Sequence, residues 1–154
     1  MSISNGPGSF TGLRIGLATA KGICTGLQIP LITFNTLELL AINVYGTPKN
    51  ILTVIDARMK EAYVALYDSQ LNVLIENHCR VYDEITNEIK SDFICVGHTH
   101  LIKDNNVHTA LPHQNMLNAA AQFSLIKYKN IKVKYDKEFI YNVEPYYVRA
   151  GINN

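Results

Sequence analysis

Long apolar runs and a strong excess of charge of either sign are both missing from this sequence. No apolar run approaches the roughly 18 residues of a transmembrane helix, so the sequence predicts no membrane association. The formal net charge of +1 does not support a strongly basic nucleic-acid-binding surface. Residues 1–5 have neither a basic region nor an apolar core, so they are not typical of a secretory signal.

Cysteine is also scarce. Cys24, Cys79 and Cys95 are widely spaced and odd in number, which favours reduced thiols in a cytoplasmic protein over a disulfide framework. No pair of them has the spacing of metal ligands. The chain has 154 residues, of which 47% are hydrophobic and 18% charged, and this composition predicts one globular domain or two small lobes.

The sequence does have a glycine-rich run, with five glycines in the seventeen residues 6–22. It predicts a loop that leads into a helix over residues 11–27. Glycine inside a helix costs about 0.5–1 kcal/mol relative to alanine, so this helix must benefit from the missing side chains. Residues spaced by four lie on one helix face and determine how closely another helix packs. We predict a protein–protein interface along the small residues at that spacing, which are Gly12, Gly16, Ala20 and Cys24.

The loop before this helix contains Gly6, Gly8, Ser9 and Thr11. Glycines ahead of a helix can bind phosphate through their N–H groups. However, a P-loop needs lysine followed by serine or threonine, and the dinucleotide motif needs two residues between its second and third glycines, where this run has three. The spacing favours a tight turn in which Ser9 or Thr11 caps the helix, and phosphate binding is the alternative.

Three side chains near this loop are candidates for chemistry or binding. Ser9 is not part of a Gly-x-Ser-x-Gly elbow, so a peptidase nucleophile is poorly supported. Arg14 and Lys21 are seven residues apart and therefore face one side of the helix. They are predicted to be solvated, or to pair with acidic groups on a partner.

A break at Gly46-Thr47-Pro48 divides the chain into residues 1–48 and 49–154. The first unit is predicted to hold a strand, the small-faced helix, a second strand and a helix capped by Asn35 or Thr36. The second unit is predicted to be an α/β unit with a tail on its surface. Its predicted elements are strands at 51–55, 62–67 and from 71, a helix at 83–90, a strand at 93–97, a helix at 115–128 whose face includes Met116, Leu117, Ala120 and Phe123, and the tail at 132–154.

Two further clusters have a functional and a structural interpretation. Asp56, Arg58 and Glu61 flank a hairpin turn, which is predicted to be stabilised by Asp56 and by an Arg58–Glu61 pair. His98 and His100 are separated by a single residue, so they do not share a helical face, and a structural role is favoured over metal binding. The sequence therefore predicts no metal site.

Several of these motifs together resemble bacterial TsaB, a family also called YeaZ. The resemblance covers the whole chain, and the glycine run is its most specific part. The motifs are residues 6–22, Thr36-Leu37-Glu38, Ile55-Asp56-Ala57-Arg58, Glu61-Ala62-Tyr63 and Pro145-Tyr146-Tyr147-Val148-Arg149.

The resemblance implies an α/β fold like that of actin, sugar kinases and the Hsp70 ATPase, with two ribonuclease H-like lobes. It implies a non-catalytic scaffold in the synthesis of threonylcarbamoyladenosine in tRNA, with partners of two kinds: the TsaD-type paralogue, which transfers the threonylcarbamoyl group, and the TsaE-type ATPase. ATP or ADP and the metal would then belong to the partner complex rather than to this chain alone. The tRNA would be contacted indirectly, and the chain alone would form a homodimer.

The chain departs from the family pattern at its start. Family members begin with a strand meander and a helix, whereas this sequence starts at the strand just before the glycine run. The resemblance therefore implies a truncated first lobe and a complete second lobe, and it leaves pairing with the TsaD-type subunit open. The competing hypotheses are a nucleotide-dependent enzyme or a peptidase of the same fold, and a fragment that has no function by itself.

Overall fold

The computed structural model describes residues 1–87, 89, 91–103 and 107–148. Its first sheet has two parallel strands, β1 (Ser2–Gly6) and β2 (Ile32–Asn35), joined by helix α1 (Phe10–Leu27). The Ser9 side chain accepts a hydrogen bond from the Gly12 N–H at 3.3 Å, which confirms the predicted cap. The helix ends where Gln28 adopts a left-handed conformation, with φ of 52°.

The second sheet has five strands, which are β3 (Asn50–Arg58), β4 (Glu61–Tyr67), β5 (Val73–Val81), β6 (Phe93–Gly97) and β7 (His108–Thr109). Their spatial order is β5-β4-β3-β6-β7. Strands β3, β4 and β5 form the predicted antiparallel meander, and β6 and β7 run parallel to β3. The middle of the sheet is buried, because hydrophobic side chains cover both of its faces.

Helix α2 (Thr36–Ala41) connects the two sheets. The Asn35 side chain caps it by accepting from the N–H groups of Leu37 and Glu38, and a 3-10 turn at Ile42–Val44 extends it. Leu37 is fully buried in a cluster that includes Ile51 and Val96 of the second sheet. The first unit therefore packs on the second sheet through α2.

Two predicted helices differ in the structure. For the helix predicted at residues 83–90, the described residues contain only a 3-10 turn at Tyr82–Glu84. Glu88 and Lys90 lie outside the described residues. The later helix, α3, begins at Ala119 (Ala119–Tyr128), because Asn118 caps it by accepting from Ala121 N–H. Its buried residues are Ala121 and Leu125.

The residues predicted to form the buried face of α3 were therefore the wrong ones. Phe123 is 72% exposed, and Met116 and Leu117 are exposed in the segment before the helix. The sequence pattern favoured the larger apolar side chains, whereas the helix buries the side that carries the small Ala121 against α2.

The C-terminal part of the chain returns to the first unit. Helix α4 (Lys137–Asn142) packs on α1, and its Ile140 is 2% exposed within a cluster that contains Leu17, Ala20 and Cys24 of α1. The division into residues 1–48 and 49–154 therefore does not follow the packing, since the predicted surface tail supplies a core residue to the first unit. No helix in the described ranges is long and apolar enough to cross a membrane.

The two sheets differ in how well their strands are protected. Within the described residues β2 has one neighbouring strand, whereas β3 lies between β4 and β6. Local opening needs less free energy where fewer elements cover a strand. In a dilute monomer, we expect the amides of residues 32–34 to exchange hydrogen faster than those of residues 52–55, as measured by mass spectrometry. Equal and strong protection of both strands would contradict this expectation.

Candidate functional site

The row of small residues on α1 faces the interior of the chain. Ala20 is 1% exposed and Cys24 is fully buried, both packed with Ile140 and Leu31. A Cβ added to Gly16 would meet Ile3 of β1 at 3.3 Å. Gly12 is exposed at the start of the helix. The row therefore sets the close packing of α1 on its own chain, which corrects the expectation that Gly16, Ala20 and Cys24 face a partner.

A second face of α1, next to the buried one, is exposed and carries no charged side chain. Ile15 is 63% exposed and Leu27 is 67% exposed, and Ile23 is also exposed. Gly22 and Gly26 lie between them, and a Cβ added at either glycine would meet no atom within 4 Å. Both glycines border a cavity of about 530 Å³ with Ile140 and Tyr141 of α4, but neither is in packing contact with that helix. We call this surface, made by Ile15, Thr19, Gly22, Ile23, Gly26 and Leu27, the outward face of α1.

A signal for the outward face is present in the sequence. The large apolar residues Leu13 and Leu17 lie on the same side of the helix as Ala20 and Cys24, so they mark that side as the buried one. By spacing, Ile15, Gly22, Ile23 and Gly26 then face away from the buried side, whereas Leu27 follows Cys24 by three residues and is exposed at the last position of the helix. Sequence reasoning missed this because it followed the small residues alone.

The two cations of α1 bind the C-terminal segment. Arg14 Nε donates to the Tyr147 hydroxyl at 2.9 Å, and the guanidinium also lies 3.8 Å from the centre of the Phe10 ring. Lys21 Nζ donates to the carbonyl oxygen of Tyr141 at 2.9 Å. Both side chains are thus used within the chain, where they fasten the C-terminal segment along one flank of α1.

The glycine loop is held by the same segment. Tyr146 N–H donates to the carbonyl of Asn5 at 2.7 Å, directly before the loop. Gly6 has φ of +125°, and a Cβ there would collide with the carbonyl oxygen of Tyr146. Glycine is therefore required at this position for two independent reasons. Gly8 is not crowded in this way, because its nearest neighbour is Leu13 at 3.9 Å.

The β3–β4 hairpin turn contains three successive left-handed residues, Arg58, Met59 and Lys60, with φ of 68°, 55° and 62°. Such backbone costs about 1 kcal/mol or more for each residue that is not glycine, so the surroundings must hold it. Asp56 Oδ1 accepts from Arg58 N–H at 2.7 Å and from the Tyr82 hydroxyl at 2.9 Å. Tyr82 N–H in turn donates to the Lys60 carbonyl. The predicted role of Asp56 in the turn is thereby confirmed. Arg58 and Glu61 lie opposite each other in the strand register, and the ion pair between their side chains stays a prediction.

These bonds make the turn sensitive to acid. The Arg58 N–H, and then the Tyr82 hydroxyl, lower the pKa of Asp56. The ionised carboxylate therefore stabilises the fold above the unfolded pKa of about 3.9, and this contribution is lost as the pH falls through the folded-state pKa. We expect Tyr82→Phe, which removes one donor, to raise the pKa of Asp56 in an NMR titration. An unchanged pKa in the folded variant would show that this hydroxyl does not hold the turn.

The glycine loop and the hairpin turn come together in space. A cavity of about 470 Å³ lies between them, lined by Ser9, Thr11, Asp56 and Arg58 among others. His98 also lines it, and its Nδ1 accepts from Asp56 N–H at 2.9 Å. The His98 and His100 rings lie 5.7 Å apart. Among the residues that the structure describes, no group of three histidine, cysteine or acidic side chains is placed to hold a metal ion.

Comparison with known proteins places this arrangement in a family. The sequence profile described as "TsaD: tRNA N6-adenosine threonylcarbamoyltransferase" matches residues 1–137. The fold is similar to a crystal structure of an uncharacterized protein with similarity to peptidase YEAZ from Pseudomonas aeruginosa. That likeness has a TM-score of 0.72 at 21% identity and covers 96% of this chain and 73% of that one. Profile and fold together place the chain in the broad α/β family that this profile describes.

Curated relatives narrow the assignment. A tRNA threonylcarbamoyladenosine biosynthesis protein TsaB from Bacillus subtilis is 30% identical over 127 residues, which are 78% of this chain and 55% of the relative. Its counterpart from Escherichia coli is 39% identical over 74 residues, which are 47% of this chain and 32% of the relative. This chain belongs to the TsaB (YeaZ) family. It matches about half, or less, of the length of these relatives. Arg149 of the closing family motif lies outside the described residues.

Proposed function

We propose that this chain is a scaffold subunit in the synthesis of threonylcarbamoyladenosine in tRNA, and that it pairs with a TsaD-type catalytic subunit through the outward face of α1. The observation that carries the proposal is that face: an exposed, uncharged helix surface on which Gly22 and Gly26 have open space in front of them. The names of the TsaB relatives supply the pathway.

The physical argument begins with the cost of the glycines. Each costs about 0.5–1 kcal/mol in a helix interior, and neither is needed for packing inside the described chain. A partner helix that packs against them can approach the backbone closely, and the flanking Ile15, Ile23 and Leu27 then lose their contact with water. Burial of such apolar side chains contributes about 25 cal/mol for each Å². In the absence of the TsaD-type subunit, the same face supports a homodimer.

The residues that line the cavity between the glycine loop and the hairpin turn favour a scaffold over an enzyme. The Ser9 hydroxyl caps α1, and the Asp56 carboxylate holds the hairpin turn. The turn carries the side chains of Arg58 and Met59 where a phosphate-binding loop uses glycine for close backbone approach. We therefore propose that ATP or ADP and the metal are bound by the partner subunits, the TsaD-type transferase and a TsaE-type ATPase. The nucleotide-dependent enzyme is the second candidate, because a cavity does lie between the loop and the turn.

Two experiments test the proposal. We expect the purified chain to form a stable complex with the TsaD-type subunit of its own organism in size-exclusion chromatography. We also expect isothermal titration of the chain alone with ATP and Mg²⁺ to show no binding. Failure to form the complex would refute the scaffold role, and saturable ATP binding that Asp56→Ala abolishes would favour the enzyme.

A further inference from the structure

Residues 127–137 are the most strongly basic stretch of the chain. They contain five of its 14 lysines and arginines and one of its 13 acidic residues. Nine basic and twelve acidic residues remain elsewhere, so the rest of the chain has a net negative formal charge. We call these residues the lysine segment, and its lysines are Lys127, Lys129, Lys132, Lys134 and Lys137.

Most of these lysines have no ion-pair partner. Outside the segment the half-buried Lys49 and the exposed Lys103 pair with carboxylates, and within the segment Lys129 does the same. The pairs are Lys49–Asp92, Lys103–Asp83 and Lys129–Glu38. The other four lysines of the segment are exposed, and no carboxylate in the described ranges lies within salt-bridge distance of them. Their charges therefore face solvent without neutralisation.

The one acidic residue of the segment is engaged by the backbone. Asp136 Oδ1 accepts from Phe139 N–H at 2.9 Å and so caps α4. Lys137 occupies the first position of that helix, where the helix dipole disfavours a cation. The fold thus gains no electrostatic stabilisation from this lysine.

A cavity separates part of the lysine segment from the first sheet. Residues 131–136 form neither helix nor strand, and a cavity of about 470 Å³ lies between them and β2. Lys132 and Lys134 line this cavity together with Asp136, whose carboxylate is engaged by the backbone of α4, and with Thr33 and Phe139. The two lysines therefore border an open cavity with room for a ligand.

We propose that the lysine segment binds RNA phosphates, so that the tRNA substrate of the proposed complex contacts this subunit directly. The inference rests on the proposed function and replaces the expectation of indirect contact. Lysine is depleted at protein–protein interfaces, whereas clustered lysines neutralise nucleic-acid phosphates and release condensed counterions. An unpaired run of lysines therefore fits a polyanionic backbone better than it fits an acidic protein surface.

Salt-dependent tRNA binding tests the proposal. The full chain is titrated into a fluorescent, unmodified tRNA transcript, and anisotropy is followed at several salt concentrations. Each phosphate contact contributes about 0.9 to the slope of log K against log salt, which amounts to about tenfold in affinity at about 0.1 M salt. We expect Lys132→Gln/Lys134→Gln to weaken binding by up to about a hundredfold and to reduce the slope by about 2. The matched control, Lys60→Gln/Lys103→Gln, removes two exposed lysines elsewhere and is expected to bind almost as the wild type does.

The outcomes separate this inference from the proposed function. Equal affinity and slope in the segment variant and the control would overturn the inference. Polyglutamate that binds as tightly as tRNA would overturn it as well, in favour of an acidic protein partner. If the wild type fails to form a complex with the TsaD-type subunit, the proposed function fails. If that complex forms and the segment variant still binds tRNA normally, only the inference fails.

Discussion

Replacement of Gly22 and Gly26 by leucine is expected to weaken association strongly while it stabilises the isolated chain. Both positions have open space in front of them, so leucine is accommodated in the monomer. Leucine also favours a helix over glycine by roughly 1 kcal/mol at each position. In a close helix–helix contact, however, two added side chains cost about 1–3 kcal/mol each. Analytical ultracentrifugation with the TsaD-type subunit should show association weakened about a hundredfold or more.

Two controls separate this effect from a general loss of structure. Ser124→Leu adds an exposed apolar side chain on α3 and is expected to leave association unchanged. Ala20→Leu changes the buried side of α1, where Ala20 is 1% exposed, and is expected to lower the free energy of unfolding by about 1–3 kcal/mol through overpacking. Normal association of the Gly22→Leu/Gly26→Leu variant, with its fold verified by circular dichroism, would show that the outward face is not the contact.

Ile140→Ala is expected to destabilise the first unit strongly. Ile140 is 2% exposed and is the residue through which α4 enters the core formed by α1 and Leu31. Truncation of such a residue costs about 2–5 kcal/mol, a large part of the stability of a domain. Urea denaturation followed by circular dichroism measures the loss.

The neighbouring position supplies the matched control for this prediction. Tyr141 is 79% exposed, and its contact with Lys21 is made by its backbone carbonyl, which alanine retains. Tyr141→Ala should therefore change the free energy of unfolding by less than about 1 kcal/mol. Similar losses in both variants would mean that α4 does not depend on Ile140 for its position.

The sequence was a good guide where local chemistry determines structure. Ser9 and Asn35 were recognised as helix caps because a short polar side chain at those positions can accept from the first turn. The meander followed from runs of β-branched and aromatic residues between turns. Asp56 was recognised as a turn residue for a similar local reason.

The failures concern contacts between residues that are distant in the chain. The buried side of α1 packs on Ile140, which lies 120 residues beyond Ala20, so no local pattern reports what covers it. The left-handed turn at Arg58, Met59 and Lys60 contains no glycine. It is held by a hydrogen bond from the N–H of Tyr82, the residue that follows β5. The outward face was missed because the small residues alone were followed, and Leu13 and Leu17 were not used to decide which side of α1 is covered.

For the scaffold proposed above, the glycine content of α1 would link the lifetime of the subunit to the supply of its partner. Four glycines within the eighteen residues of α1 lower its intrinsic stability by several kcal/mol relative to alanine, on the order of 0.5–1 each. A partner that binds only the folded helix raises the free energy of unfolding. The increase grows with the logarithm of the partner's free concentration divided by its dissociation constant. Unpaired subunits would open locally more often and be degraded sooner, so the cell would hold no large surplus of this chain over its partner.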